Sequence, residues 1–174
     1  MMDRSVTQAP LSFPRMSSPS LHIVLYQPEI PANAGAIGRT CVALGAKLWL
    51  VRPLGFRMSS RYLRRAGLDY WEHLEWEAAD DWNDLLRRLP DRQREPWLLS
   101  KSAGRPYADA SFRSGDILVF GSETQGLPPS LLDAHPDRCL RIPMRPQARS
   151  LNLSVSVGIV AYEAWRQFHG NWEP

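Results

Sequence analysis

The stretch Leu21-His-Ile-Val-Leu-Tyr-Gln-Pro-Glu-Ile-Pro-Ala-Asn-Ala-Gly-Ala-Ile-Gly-Arg-Thr-Cys-Val-Ala-Leu-Gly-Ala-Lys-Leu-Trp-Leu-Val-Arg52 decides the architecture. It opens with a short apolar run over 21–26 that meets Pro28 and Pro31, so a strand ends there. Residues 34–44 have helical composition and stop at Gly45, which takes up a left-handed turn without steric cost. Residues 47–52 are a second apolar run, closed by Pro53. Asn33 stands where the helix should begin and reads as its N-cap.

The same alternation continues downstream. Residues 59–66 read as a short basic helix stopped by Gly67, and 74–77 as a brief strand. Residues 80–89 read as a helix with acidic residues in its first turn and Arg87 and Arg88 in its last, as the macrodipole favours. Residues 97–100 and 117–120 are buried-type strands, 129–134 a helical turn, 139–142 a last short strand, and 152–168 the longest helix. The strand runs are apolar on both faces, which predicts an α/β fold with a mostly parallel sheet and helices on both faces. Upstream, residues 1–20 hold three prolines, no sustained period and no apolar core of a secretory signal. They read as a disordered N-terminal tail, with Met16 a candidate start, ahead of one domain over 21–170.

The chain has 174 residues and a mass of 19.8 kDa, about one domain. With 44% hydrophobic and 22% charged residues, disorder of the bulk is excluded. The longest apolar runs, such as 48–51 and 117–120, fall far short of the roughly 20 residues that cross a bilayer, so no membrane partner is expected. Two distant cysteines, Cys41 and Cys139, form neither a disulfide framework nor a zinc site. Cys41 sits in an apolar stretch and reads as a buried, inert thiol, which points to a reducing, cytoplasmic compartment. The net charge of +3 is mild, but Lys occurs only at Lys47 and Lys101, so nearly all positive charge is Arg. Arg forks suit phosphate; a G+C-rich genome would give the same bias.

No known phosphate loop is present. The first strand is followed by no Gly-x-Gly-x-x-Gly, and Leu127-Pro128 stands where a P-loop needs Lys-Ser/Thr. His22, His73, His135 and His169 are scattered, with no metal spacing and no triad. Three other segments sit at carboxyl ends of strands, where open α/β sheets keep ligands. The first is Asn33-Ala-Gly-Ala-Ile-Gly-Arg39; Arg39, among small and apolar neighbours, should be partly buried or face a cleft. The second is Gly121-Ser-Glu-Thr-Gln-Gly-Leu-Pro128, with two glycines that admit a close ligand and Glu123 between them, or else a plain turn. In the third, Ile142-Pro-Met-Arg-Pro-Gln-Ala-Arg-Ser-Leu-Asn-Leu-Ser154, Ser150, Asn152 and Ser154 cluster at a helix start beside Arg145 and Arg149. That arrangement suits an anionic or hydroxyl-rich ligand, although capping alone would need one of the three side chains.

Taken in order, these segments resemble the three motifs of the SPOUT RNA methyltransferases, in the branch that methylates ribose 2′-hydroxyls. Leu-Tyr-Gln-Pro-Glu-Ile-Pro-Ala-Asn33, Leu-Arg-Arg-Ala-Gly-Leu-Asp-Tyr70 and Val-Ala-Tyr-Glu-Ala-Trp-Arg-Gln167 are similar to the small enzymes of the TrmL type, which act on the tRNA wobble nucleotide. The resemblance runs from about Leu21 to Gln167; the tail and Val155-Ser-Val-Gly158 depart from it. It implies a C-terminal trefoil knot, which composition could not suggest because true knots are almost absent from proteins. It implies S-adenosylmethionine as cofactor, S-adenosylhomocysteine as product, and no metal. The cofactor residues carried over by position are Leu99, Gly121, Glu123, Ile142, Ser150, Leu151 and Asn152. Arg39 matches the catalytic arginine, with Asn33 and Asn152 completing the catalytic set. Arg57, Arg61, Arg64, Arg65, Arg145 and Arg149 would bind the tRNA anticodon stem-loop.

The implied reaction is methyl transfer to the 2′-hydroxyl of nucleotide 34, in a leucine tRNA as in the family. The rivals are a 2′-O-methyltransferase for another tRNA position or ribosomal RNA, and an inactive RNA-binding module on the same scaffold. The resemblance also implies a homodimer, and the apolar residues of 152–168 agree, since they run nearly all round the helix. A second subunit should cover part of them, with Val160 in the contact.

Overall fold

In the computed structural model, which describes residues 18–57, 69–91 and 94–169, strands and helices alternate as the apolar runs predict except over 97–120, where three strands follow one another with only a 3₁₀ turn among them. The strands are β1 (Leu21–Tyr26), β2 (Lys47–Val51), β3 (Trp76–Ala79), β4 (Trp97–Leu99), β5 (Arg105–Pro106), β6 (Asp116–Phe120) and β7 (Cys139–Arg141). The helices are α1 (Pro31–Leu44), α2 (Trp82–Arg88), α3 (Pro129–Ala134) and α4 (Leu153–His169), with 3₁₀ turns at Asp69–His73, Tyr107–Asp109 and Pro136–Arg138. Residues 1–17 and the basic helix expected over 59–66, with Arg61, Arg64 and Arg65, lie outside the described residues.

Among the described residues the strands form one sheet in the order β3-β2-β1-β6-β4-β7-β5, and every pairing in it is parallel. Side chains alternate between its faces. Leu21, Ile23 and Leu25 of β1 join α1 and α4 in one core, which includes Ile37, Cys41, Val157, Val160 and Ala161. Val24, with Trp49, Val51, Ile117 and Val119, meets Leu85 and Leu89 of the α2 region on the other face, with Leu131 and Leu132 of α3 packed alongside. Helices therefore cover both faces, as a parallel sheet requires.

Several boundaries differ from expectation. β3 begins two residues later than the strand foreseen at 74–77, because Leu74 is instead buried under α1 behind the 3₁₀ turn. Gly38 lets that turn approach: a Cβ there would lie 3.0 Å from Leu74 and 3.1 Å from Trp71. Ser20, foreseen as the end of the tail, is fully buried; its Oγ donates to the Leu44 carbonyl at 2.6 Å and its carbonyl accepts from Gly115 N–H at 2.7 Å. Val160, foreseen as a contact with a second subunit, is fully buried in this chain's own core. The half-exposed apolar residues of α4 are Val155 and Tyr162.

Candidate active site

From β1 the chain steps outward to β2 and β3, while β6, β4, β7 and β5 lie on the opposite side of β1. The β1–β6 boundary is thus a topological switch point, where open α/β sheets form a crevice at their carboxyl ends. The loops leaving β4, β6 and β7 enclose a cavity of about 570 Å³ there, a size suited to a small cofactor.

Backbone geometry builds one wall. After β6, Gly126 (φ 70°) turns the chain back so that Gly126 N–H donates to the Ser122 carbonyl at 2.9 Å, and Ser122 N–H returns the bond at 3.3 Å. The fold-back presses Gly126 and Leu127 against Gly121, whose missing side chain is obligatory: a Cβ would collide with their backbone. At the end of β1, Gln27 holds φ 51°, an uncommon left-handed conformation for a non-glycine residue, and its N–H donates to the Val51 carbonyl at 3.0 Å.

Glu123 joins the first and second segments. Its Oε2 accepts from Glu29 N–H at 2.8 Å, and its Oε1 from Ile30 N–H at 3.2 Å and from Asn33 Nδ2 at 2.9 Å. The carboxylate therefore serves the two N–H groups just before α1 and the Asn33 amide in its first turn, where the helix dipole favours negative charge. This corrects the expected cap. The helix starts at Pro31, not at 34, and Asn33 lies inside its first turn, with no side-chain cap from the residue before the helix. Asn33 is 6% exposed, and its Oδ1 accepts from Asn152 Nδ2 at 2.9 Å. Asn152 Oδ1 in turn accepts from Ser154 N–H at 2.8 Å and Ser154 Oγ at 2.6 Å, so Asn152 is the cap of α4.

The structure brings together Asn33, Leu99, Gly121, Glu123, Ile142, Arg149, Ser150, Leu151 and Asn152, which all line the cavity. It does not bring Arg39, Arg57 or Arg145 to it: all three are exposed and absent from its lining. Arg39 is neither buried nor in the cleft of its own chain, because six residues turn a helix to about 120° from Asn33. Lining residues that the sequence reading missed include Ile30, Ser100, Lys101, Ser102 and Met144. Lys101 had one signal, as one of two lysines in an arginine-rich chain, just beyond β4. Glu123 is the one acidic group among the lining residues, and its oxygens are engaged by protein donors. Toward a ligand the cavity therefore offers apolar surface from Leu99 and Ile142, hydroxyls, amides and the cations Lys101 and Arg149.

Other titratable groups serve the fold. His22 is buried and accepts from Trp49 Nε1 at 3.1 Å; burial, then the Lys47 charge, lowers its pKa to about 4. Cys41 is fully buried and burial pushes its thiol up; both cysteines are free. Among the described residues no three His, Cys, Asp or Glu side chains cluster as metal ligands, and no helix is long and apolar enough to cross a membrane.

Residues 20–162 match the SpoU rRNA Methylase family. The chain is 45% identical over 148 residues to the tRNA (cytidine(34)-2'-O)-methyltransferase of Burkholderia pseudomallei, covering 84% of this chain and 94% of that relative. A solved structure described as "Structural insights into the 2-OH methylation of C/U34 on tRNA" superposes with a TM-score of 0.79 at 50% identity, over 84% of this chain and 95% of the other. An AdoMet-bound rRNA methyltransferase from Sinorhizobium meliloti superposes with a TM-score of 0.72 at 26% identity, over 84% of this chain and 56% of the other.

Proposed function

Because the chain belongs to the SpoU rRNA methylase family, we propose that it transfers a methyl group from S-adenosylmethionine to the ribose 2′-hydroxyl of tRNA nucleotide 34. The observation that carries this is the joining of all three motif segments at one cavity through the Glu123–Asn33–Asn152 hydrogen bonds. The residues present fit the cofactor. Apolar surface from Leu99 and Ile142 suits an adenine ring, and the Gly121 loop presents backbone without an intruding side chain. When bound, S-adenosylmethionine supplies a sulfonium-activated methyl group.

The chain's own residues then position and stabilise. Ser150, Leu151 and Asn152 at the start of α4 would hold the cofactor, beside Leu99, Gly121 and Ile142, which line the same cavity. Arg39 presents a cationic guanidinium fork, which suits the phosphate beside the target ribose and offsets negative charge growing on the ribose oxygen. Arg39 does not line the cavity of its own chain, which supports a homodimer in which the partner subunit's Arg39 completes the site. Ile30 and Leu151 at the cavity mouth, and Val155 and Tyr162 on α4, are exposed apolar residues suited to that contact. Arg57, Arg145 and Arg149, with Arg61, Arg64 and Arg65, would grip the anticodon stem-loop of a leucine tRNA in the cytoplasm. The trefoil knot belongs to the same reading. β7 lies between β4 and β5, strands consecutive in the chain, and this supports passage of the last segment through their connection.

The purified protein should bind S-adenosylmethionine and move labelled methyl into bulk tRNA and not into ribosomal RNA, with EDTA present. Binding without transfer to any RNA would overturn the reading.

A further inference from the structure

We infer that Glu123 and Asn33 are positioning residues that fix the polarity of Asn152, so that its amide offers the cavity a hydrogen-bond donor and no acceptor. This rests on the methyl-transfer reading above and adds what the site must recognise: an oxygen that gains negative charge.

An amide side chain has one acceptor oxygen and two donor hydrogens. The Asn152 oxygen is filled: Ser154 N–H donates to it at 2.8 Å, Ser154 Oγ at 2.6 Å and Val155 N–H at 3.4 Å. Its nitrogen gives one hydrogen to Asn33 Oδ1 at 2.9 Å. Asn33 has no freedom to reverse, because its nitrogen faces Glu123 at 2.9 Å and an ionised carboxylate only accepts. Glu123 is held in turn by Glu29 N–H and Ile30 N–H. Both ends of the chain of bonds demand the same direction: the start of α4 needs an oxygen at Asn152, and Glu123 needs donors. The second Nδ2 hydrogen of Asn152 is what remains for a ligand in the cavity that Asn152 lines. A donor there stabilises the ribose 2′-oxygen as it becomes alkoxide-like, its proton passing to solvent water while the O–CH₃ bond forms and the methyl–sulfur bond breaks; a reversed amide would set one oxygen against another.

The test exchanges donor and acceptor without changing net charge. Asn33→Asp alone sets two carboxylates face to face. Glu123→Gln alone brings an NH₂ against the N–H groups at the start of α1. In the double variant the carboxylate at 33 accepts from both the new amide and Asn152, so Asn152 keeps its direction. Single-turnover methyl transfer at saturating tRNA and cofactor is read beside S-adenosylhomocysteine affinity and melting temperature. Each single variant should lose about 10²-fold in rate, the range for a lost preorganised donor, and the double should recover at least about tenfold over the better single. Folded singles within about threefold of wild type, or a folded double no faster than the singles, would overturn the inference. Should these variants not fold, Asn152→Asp decides. It keeps the cap oxygens of α4 but has no N–H, so it should fold, bind S-adenosylhomocysteine and lose about 10²–10³ in rate; turnover near wild type, or failure to fold although the cap oxygens remain, would overturn the inference. Absence of transfer by the wild-type protein would instead remove the methyl-transfer reading itself.

Discussion

Arg39 is exposed and does not line its own chain's cavity, so its removal should spare cofactor binding and strike the chemical step. Arg39→Ala should lose about 10²–10³ in single-turnover rate with S-adenosylmethionine affinity within twofold, and Arg39→Lys, which keeps the charge but not the fork, should regain part of it. His22 makes a different prediction. An unfolded histidine takes up its proton near pH 6.5, whereas the buried one resists until about 4. Its contribution to stability is therefore complete above 6.5 and lost as pH falls toward 4, with a slope approaching about 1.4 kcal/mol per pH unit. His22→Gln, which keeps an acceptor for Trp49, should flatten that part of a melting-temperature profile; an unchanged profile would show that other groups set it. At this scale the sequence was legible in residue type but not in direction. Glu123 stands at the cavity as expected, yet it faces α1, through partners 90–94 residues away that no local pattern reveals.

The first strand–helix–strand unit was readable because its punctuation is local. Gly45 ends α1 with φ 64°, donating to the Cys41 and Val42 carbonyls. Its start carries no such local mark: the acceptor for the Glu29 and Ile30 N–H groups just before it comes from the β6–α3 loop, so Asn33 is the only cap the sequence displays. β5, two residues ending in proline at the sheet edge, carries no apolar run and left no signal. The β6–α3 loop separates two uses of glycine. Gly121→Ala must push backbone apart and should abolish cofactor binding. Gly126→Ala meets open space and strains only a positive φ, so it should cost about 1 kcal/mol and keep measurable affinity in calorimetry. Equal effects would show that the fold-back does not shape the site.

At the scale of the molecule, the parallel sheet with helices on both faces followed from strand runs that are apolar throughout, with Leu21, Ile23 and Leu25 serving one core and Val24 the other. Which apolar residues of α4 remain open did not follow, since periodicity cannot separate Val160, fully buried, from Val155, half exposed. The two now give opposite expectations. Val155→Glu should fold and sediment as a monomer with cofactor affinity retained, whereas Val160→Glu, an unpaired charge in the core, should not fold. A wild-type monomer at micromolar concentration would contradict the proposed dimer. Methyl transfer by this chain would place a single methyl group on one oxygen of one nucleotide. The direct measurement is nuclease mapping with mass spectrometry of unmodified leucine tRNA after incubation with the purified protein and methyl-labelled S-adenosylmethionine. The label should appear on the 2′-oxygen of nucleotide 34 and be lost in Arg39→Ala; label on a base, at another position, or nowhere would contradict it.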